Sequence, residues 1–442
     1  MRALGPLSIA VLLAAASPAE AGQFNAESFT LGNGLQVVVV QSHRTPAVAQ
    51  MVWYKAGAAD EPPGKSGIAH FVEHLMFRGS KATLPGAFSR TVGENGGRDN
   101  AFTTEDYTAY YESVAADRLE LVMRLEAERM HDLLITEEQV KTEREVIIEE
   151  RRTRIDNVPS ALLSEQLEAV LFLNTHYRLP TIGWQHEMRG LTADDARSFY
   201  QAWYAPNNSV VVISGDVTVD RVRALAEKYY GPIPAKPVPE HLVLTEPPKV
   251  AATRLEMTSP RAANPYWSRS YLAPSFIEQG GRPADIATVL AELLGGGESS
   301  RLYKRLILGK KLATSVGVGY SAERGVGSFT IYAEPREGVD IATVEAAVTA
   351  EVAVFLRDGA PAEEVTRVKR RLQEGAIYDR DSLMAPARII GSSLASGRSL
   401  AEVEAWPDRI GTVTPEELLK LARDMIKDDT AVTAVLLPEK RS

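Results

Sequence analysis

Apolar positions recur along this chain in two spacings, and each predicts its own kind of element. Leu35 followed by Val37, Val38, Val39 and Val40, and then residues 48–54, are short β-branched and aromatic runs. Both are read as strands, joined with hairpin-like spacing by a polar turn around Arg44, Thr45 and Pro46. Within 66–77 the pattern changes, with Ile68, Phe71, Val72 and Leu75 at i, i+3, i+4 and i+7, the stripe of an amphipathic helix. Thr136 and Gln139 form a capping-box pair ahead of 140–150, which predicts a second helix.

The pattern also repeats over a longer distance. Thr192-x-x-Asp195 opens a helix, Asn207-Asn208 makes a turn, and Ser209, Val210, Val211, Val212 and Ile213 form a strand. Thr414-x-x-Glu417, Asp428-Asp429 and the apolar run 431–437 return in the same order, so the chain is read as an internal duplication. Between the copies, prolines 232, 234, 237 and 239, then 247 and 248, fix φ and remove donors, which predicts a stiff extended linker. The expected organisation is an N-terminal domain over 22–231, a Pro-rich linker over 232–248 and a homologous C-terminal domain over 249–442. Strands and long helices without βαβ alternation imply α+β domains, each a mostly antiparallel sheet with helices packed on one face.

Composition narrows the chemistry. A chain of 442 residues has room for roughly two to three domains. Its net charge of -9 makes nucleic acid a poor partner. There is no cysteine, so any metal is held by His, Asp or Glu. Met1-Arg2, an apolar run over 7–16 and small residues around Ala19 and Ala21 read as a secretory signal peptide, residues 1–21, cleaved after Ala21. No later stretch is apolar for long enough to span a bilayer. The expectation is an exported protein, periplasmic if the source is bacterial.

On the helix within 66–77, His70 and His74 lie one turn apart with Glu73 beside them, on the face away from the apolar stripe. Two imidazoles can grip one ion while a carboxylate stands next to it, and the pattern points to Zn2+. A catalytic zinc site needs a third protein ligand and an open position. Glu143 and Glu150 stand two turns apart on one face of the second helix, flanked by Val140, Val146 and Ile147, while Glu145, Glu149 and Arg152 fall on the opposite side. From that segment, metal ligation and salt bridges to Arg144 or Arg154 remain equal alternatives.

These residues resemble a known family. His70-x-x-Glu73-His74 is the inverzincin signature. With Glu143-Arg144 and Glu150 it is similar to the pitrilysin-type zinc metallopeptidases, and among them to the two-domain subgroup that includes mitochondrial processing peptidase. The likeness extends along the mature chain through Asn33-Gly34-Leu35, Gly96-Gly97-Arg98-Asp99-Asn100-Ala101, Tyr204-Ala205-Pro206-Asn207-Asn208, Ser214-Gly215-Asp216 and the segment 294–302. It implies that His70, His74 and Glu150 are zinc ligands, Glu73 the general base and Glu143 a supporting acid. It also implies that residues 100–104 form an edge strand, where Asn100 and Ala101 hold a peptide or unfolded substrate as an added strand.

The second half offers no metal set: its corresponding segment 285–294 carries only Asp285 and Glu292 as acids and has no His. Gly295-Gly296-Gly297 reads as a helix-ending turn, and His43, His131, His176, His186 and His241 are scattered without ligand spacing. Active relatives carry an Arg and, seven residues on, a Tyr after this turn, where this chain has Ile307 and Thr314. Arg305 and Tyr320 have the wrong separation to replace them. The resemblance therefore implies a heterodimer with a homologous subunit that supplies the Arg/Tyr pair. Two rivals are a non-catalytic assembly or scaffold member of the same fold, and a zinc-storage protein. An intact metal set argues against the first, and Glu73 against the second.

Overall fold

The computed structural model describes residues 22–242 and 244–439; the signal peptide expected at 1–21 lies outside the described residues. Six strands, β1 (Glu27–Thr30), β2 (Gln36–Gln41), β3 (Ala47–Tyr54), β4 (Arg98–Thr103), β5 (Thr108–Ala115) and β6 (Ser209–Gly215), form one sheet in the order β1-β2-β6-β3-β5-β4. Five more, β7 (Thr253–Ser259), β8 (Tyr266–Ala273), β9 (Ala313–Ser321), β10 (Gly327–Pro335) and β11 (Val432–Pro438), form a second in the order β7-β11-β8-β10-β9.

Position for position, the second sheet repeats the β2-β6-β3-β5-β4 part of the first. β2/β6 and β7/β11 are parallel, and every other neighbouring pair is antiparallel. The duplication read from the sequence is therefore visible as a repeated topology. The capping boxes that signalled it are formed: Asp195 N–H donates to Thr192 Oγ1 at 3.2 Å, and Glu417 N–H to Thr414 Oγ1 at 3.2 Å.

One expectation is corrected. β2 and β3 do not pair as a hairpin, because β6 runs between them. The connecting turn straddles the end of β6: Ser42 N–H donates to Gly215 O at 2.8 Å and Asp216 N–H to Ala47 O at 2.9 Å. Each strand gains a better-buried neighbour this way. β6 is buried throughout and β3 almost throughout, as central strands covered on both faces require.

In the first half, four helices position the site: α1 (Ile68–Leu75), α2 (Glu137–Arg151), α3 (Pro159–Leu171) and α4 (Ala193–Trp203). Their counterparts in the second half are α5 (Arg282–Gly295), α6 (Ala362–Asp381), α7 (Ala385–Ala395) and α8 (Pro415–Met425). α1 packs on α2 and α4, and α5 packs on α6 and α8, the same arrangement twice.

The other face of each sheet is covered by the opposite half. α7 lies across β3 and β6, burying Ala387, Ile390 and Leu394 with Met51, Trp53 and Val212. α3 lies across β11, β7 and β8, burying Leu163, Leu167 and Leu171 with Val432, Ala434 and Leu436. This exchange ties the two halves through apolar packing. At its tightest point a Cβ on Gly391 would stand 2.0 Å from Trp53 Nε1, so only glycine lets α7 come this close.

Residues 232–242 and 244–248 form no helix or strand. They are stitched to the first half: Lys236 N–H donates to Asn207 Oδ1 at 3.0 Å, and Glu246 accepts the N–H groups of Leu173 and Thr175 at 2.8 and 2.6 Å.

Candidate metal centre

α1 is started by Gly67, whose φ of 87° and approach to the Ile182 carbonyl leave no room for a side chain. The buried Glu61 carboxylate accepts the N–H groups of Gly67 and Ala69 at 2.8 and 2.9 Å, satisfying the helix start from outside the helix. The apolar stripe Ile68, Phe71, Val72 and Leu75 is buried. His70, Glu73 and His74 face away from it, under α2 and beside β4.

Here the chain brings three ligand atoms together. His70 Nε2 and His74 Nε2 lie 3.7 and 3.2 Å from Glu150 Oε2, and one atom from each of the three residues falls within 4.8 Å of the others. Among the described residues this is the one His/Asp/Glu group so gathered. Glu150 Oε2 is buried with no aligned hydrogen-bond donor. Two imidazole nitrogens and one carboxylate oxygen around a common point, one of them otherwise unsatisfied, fit a divalent cation of the zinc class.

Glu143 takes a different position. Its Oε1 accepts from His74 Nδ1 at 2.9 Å and its Oε2 from Arg78 Nε, so it holds the imidazole from behind and turns Nε2 toward Glu150. Glu150 pairs through Oε1 with Arg154 Nη1 at 3.0 Å. The salt-bridge alternative thus holds for one oxygen of Glu150, while the other faces the imidazoles. Arg144 instead donates to Leu191 O. Two details of the expected helix face differ: Val146 is 42% exposed, and both it and Glu149 line the cleft.

The electrostatics in the metal-free protein separate the three α1 side chains. Burial, followed by the His74 charge, pushes His70 down to about 4. Burial also acts to lower His74, but its hydrogen bond to Glu143 and its close approach to the Glu150 carboxylate outweigh that and raise it to about 9. Burial raises Glu73 to about 7 against the opposing hydrogen bond from Thr103. The close approach of the His74 ring leads in holding Glu150 below the usual carboxylate range. Without metal, a proton on His74 supplies the positive charge this pair of glutamates favours.

Glu73 is 7% exposed and its Oε2 accepts from Thr103 Oγ1. Thr103 ends β4, the unpaired edge of the first sheet. Asn100 and Ala101 lie on the same strand, with Ala101 N–H donating to Asn100 Oδ1 at 2.8 Å. A cleft of about 1150 Å³ runs along β4 and opens onto His70, Glu73, His74 and Glu150. No motif in the sequence marks Thr103 or Arg78 as part of the site. Arg78 follows His74 at i+4, a readable helical spacing, whereas the Thr103–Glu73 contact is purely tertiary.

In the second half, α5 occupies the place of α1, and both of its acids are held in salt bridges: Glu292–Arg371 at 2.6 Å and Asp285–Arg409 at 2.5 Å. Ile307 is half-buried against the second core, and the exposed Thr314 Oγ1 reaches Glu334 O at 3.4 Å. Arg305 pairs with Glu351 at 2.9 Å, and Tyr320 OH donates to Pro274 O at 2.7 Å, so neither is turned to the metal set. The five scattered histidines have local partners, among them Asp216 for His43 at 2.6 Å and Asp60 for His241 at 2.7 Å.

Comparison with known proteins finds two consecutive models of one family along the chain. Residues 36–184 match the family model described as Insulinase (Peptidase family M16), and residues 190–372 match the one described as Peptidase M16 inactive domain. The second model starts within the first half, ahead of α4 and β6, and runs on through the half in which no ligand set gathers as far as α6. The chain is 28% identical over 417 residues to the zinc protease PqqE of Helicobacter pylori, covering 93% of each. It is 23% identical over 419 residues to a probable mitochondrial-processing peptidase subunit beta of Arabidopsis thaliana, covering 92% of this chain and 77% of that one. A crystal structure of a protease from Helicobacter pylori superposes with a TM-score of 0.88 at 27% identity, over 93% of this chain and 99% of the other. With two consecutive models of one family covering most of its length, and with this fold and relatives named as zinc proteases, the chain belongs to the pitrilysin-type peptidase family M16.

Proposed function

We propose that this protein is a zinc-dependent endopeptidase that hydrolyses peptides or unfolded segments held as an extra strand along β4. The observation that carries this reading is the convergence of His70, His74 and Glu150 at the floor of a cleft, with the buried Glu73 beside them and a free strand edge along it. His70, His74 and Glu150 would hold the zinc, with Glu143 orienting His74. Bound zinc lowers the pKa of its water to about 7 and polarises a carbonyl.

The chain's own residues do the rest. Glu73 takes the proton of the attacking water and passes it to the leaving amine, for which an acid near neutrality suits both directions. Asn100 and Ala101 present main-chain and amide groups to an extended peptide, so folded proteins are poor substrates. Residues 1–21 serve as the export signal, which places the enzyme in the periplasm of a bacterial source. Residues 22–231 act as the zinc-bearing domain, 232–248 as linker and 249–442 as a domain without metal.

The half-buried Ile307 and the exposed Thr314 also support a working unit of two different chains. The zinc-bearing chain would be completed by an exported homologue that carries the Arg/Tyr donors. The scaffold alternative is disfavoured by the assembled metal set.

The deciding experiment is digestion of an unstructured peptide library by the purified chain, alone and mixed with such a homologue, before and after chelation. Cleavage that is lost on chelation and restored by zinc supports the peptidase reading. Stoichiometric zinc with no cleavage in either mixture overturns it, and full activity of the lone chain, unchanged by the homologue, overturns the heterodimer.

A further inference from the structure

Beyond Arg151, the last residue of α2, the backbone continues as a wider helical turn over Arg152–Asp156. The three arginines at this point have separate fates. Arg151 is buried and bound to Glu165 at 2.7 Å, and Arg152 pairs with Glu149 at 3.3 Å. Arg154 lines the metal cleft with its side chain 74% exposed, and Nη1 lies 3.0 Å from Glu150 Oε1, the oxygen not shared with the imidazoles. Glu150 is the only salt-bridge partner of Arg154 among the described residues. A guanidinium has five N–H donors in a planar fork, so one contact leaves most of them free toward the cleft. β4 lines the same cleft, so a peptide added to that strand brings its carbonyl oxygens past the one cationic side chain there with donors to spare.

We propose that Arg154 is a further catalytic residue of this site, donating to the carbonyl oxygen of the scissile bond as negative charge gathers on it; this rests on the peptidase reading. A donor aimed at developing charge strengthens in the transition state and adds little in the ground state. The competing role is structural: Arg154 could do no more than hold Glu150, and then its loss would appear in metal binding.

The test uses the full mature chain in a Glu73→Gln background, mixed with the exported homologue of the proposed pair, so that an intact peptide can be bound without turnover. Zinc affinity is read by chelator competition. Calorimetry compares an unstructured peptide with its phosphinic counterpart, which places a tetrahedral anion at the scissile position. Arg154→Met is expected to leave zinc affinity within about twofold while weakening the phosphinic peptide about 100-fold, the scale of one lost donor. The parent peptide should change by less than about threefold, and Arg154→Lys should recover part of the loss. Zinc affinity that falls in step, an equal loss for both peptides, or no loss at all overturns the assignment. A starting protein without preference for the phosphinic peptide removes the peptidase reading, and Arg154's role with it. A preference that survives Arg154→Met removes the Arg154 role alone.

Discussion

The imidazole of His74 and the carboxylate of Glu143 are joined across 69 residues by a hydrogen bond of 2.9 Å, and this one contact fixes which ring nitrogen faces Glu150. With Nδ1–H donating to Glu143, Nε2 faces the ligand set, 3.2 Å from Glu150 Oε2, and offers its lone pair to a metal once its proton has left. The two glutamates on α2 therefore differ in kind despite sharing a helix face.

That difference predicts an order of effects. Glu150→Gln replaces the anionic ligand with a neutral, weakly ligating amide and should abolish stoichiometric zinc in the purified protein. Glu143→Gln keeps all three ligands but loosens the His74 ring, and loss of such a supporting partner typically costs about 10–100-fold in metal affinity. Chelator competition on both variants checks this, and the reverse order would exchange the roles of the two residues.

Glu73 is held by Thr103, which predicts a graded pair of variants. Glu73→Gln should retain zinc and fold while losing hydrolysis, since an amide cannot accept the water's proton; loss of a general base costs about 10²–10⁴-fold. Thr103→Val leaves the carboxylate in place without its hydroxyl partner, so kcat should fall by a smaller factor and Thr103→Ser should restore it. Rates together with zinc content separate these outcomes. Zinc loss in Thr103→Val would show that Thr103 supports the metal set instead of the base.

The metal helix was legible because its information is local. Ile68, Phe71, Val72 and Leu75 give the period, and His70, Glu73 and His74 fall on the opposite face. The repeated capping boxes at Thr192 and Thr414 were legible for the same reason. The insertion of β6 between β2 and β3 was not, because a turn such as 42–46 closes a hairpin or straddles a third strand with the same residues. Thr103 was hidden because nothing in its neighbours marks a hydroxyl that bonds 30 residues away. The exchange of α3 and α7 was hidden too: an apolar helix face does not say which half it covers.

That exchange predicts that the two halves unfold together. α7 approaches β3 only because residue 391 has no side chain, a Cβ there standing 2.0 Å from Trp53 Nε1. Gly391→Ala would gain helix propensity on an isolated helix, yet here it should destabilise the protein by about 1–3 kcal/mol through overpacking. Thermal or denaturant unfolding followed by tryptophan fluorescence and by far-ultraviolet circular dichroism should remain one coincident transition at a lower midpoint. Two separated transitions in the wild-type protein would show that the halves fold independently.

The last prediction concerns protons. In the metal-free protein His74 is raised from its ordinary 6.5 to about 9 by Glu143 and Glu150, which outweigh its burial. A group whose folded pKa is raised contributes stability that is fully present below its unfolded pKa and is lost as pH climbs through the folded value. Metal-free protein should therefore lose stability between about pH 6.5 and 9, and Glu143→Gln should flatten that decline. Zinc needs the neutral imidazole, so it must displace this proton. Uptake near pH 7.5 should then release about one proton per chain, and less above pH 9. Titration calorimetry in two buffers of different ionisation enthalpy measures that number directly. Zinc uptake without proton release at pH 7.5 would mean that His74 is already neutral in the metal-free protein, and that the pull of the two glutamates does not outweigh its burial.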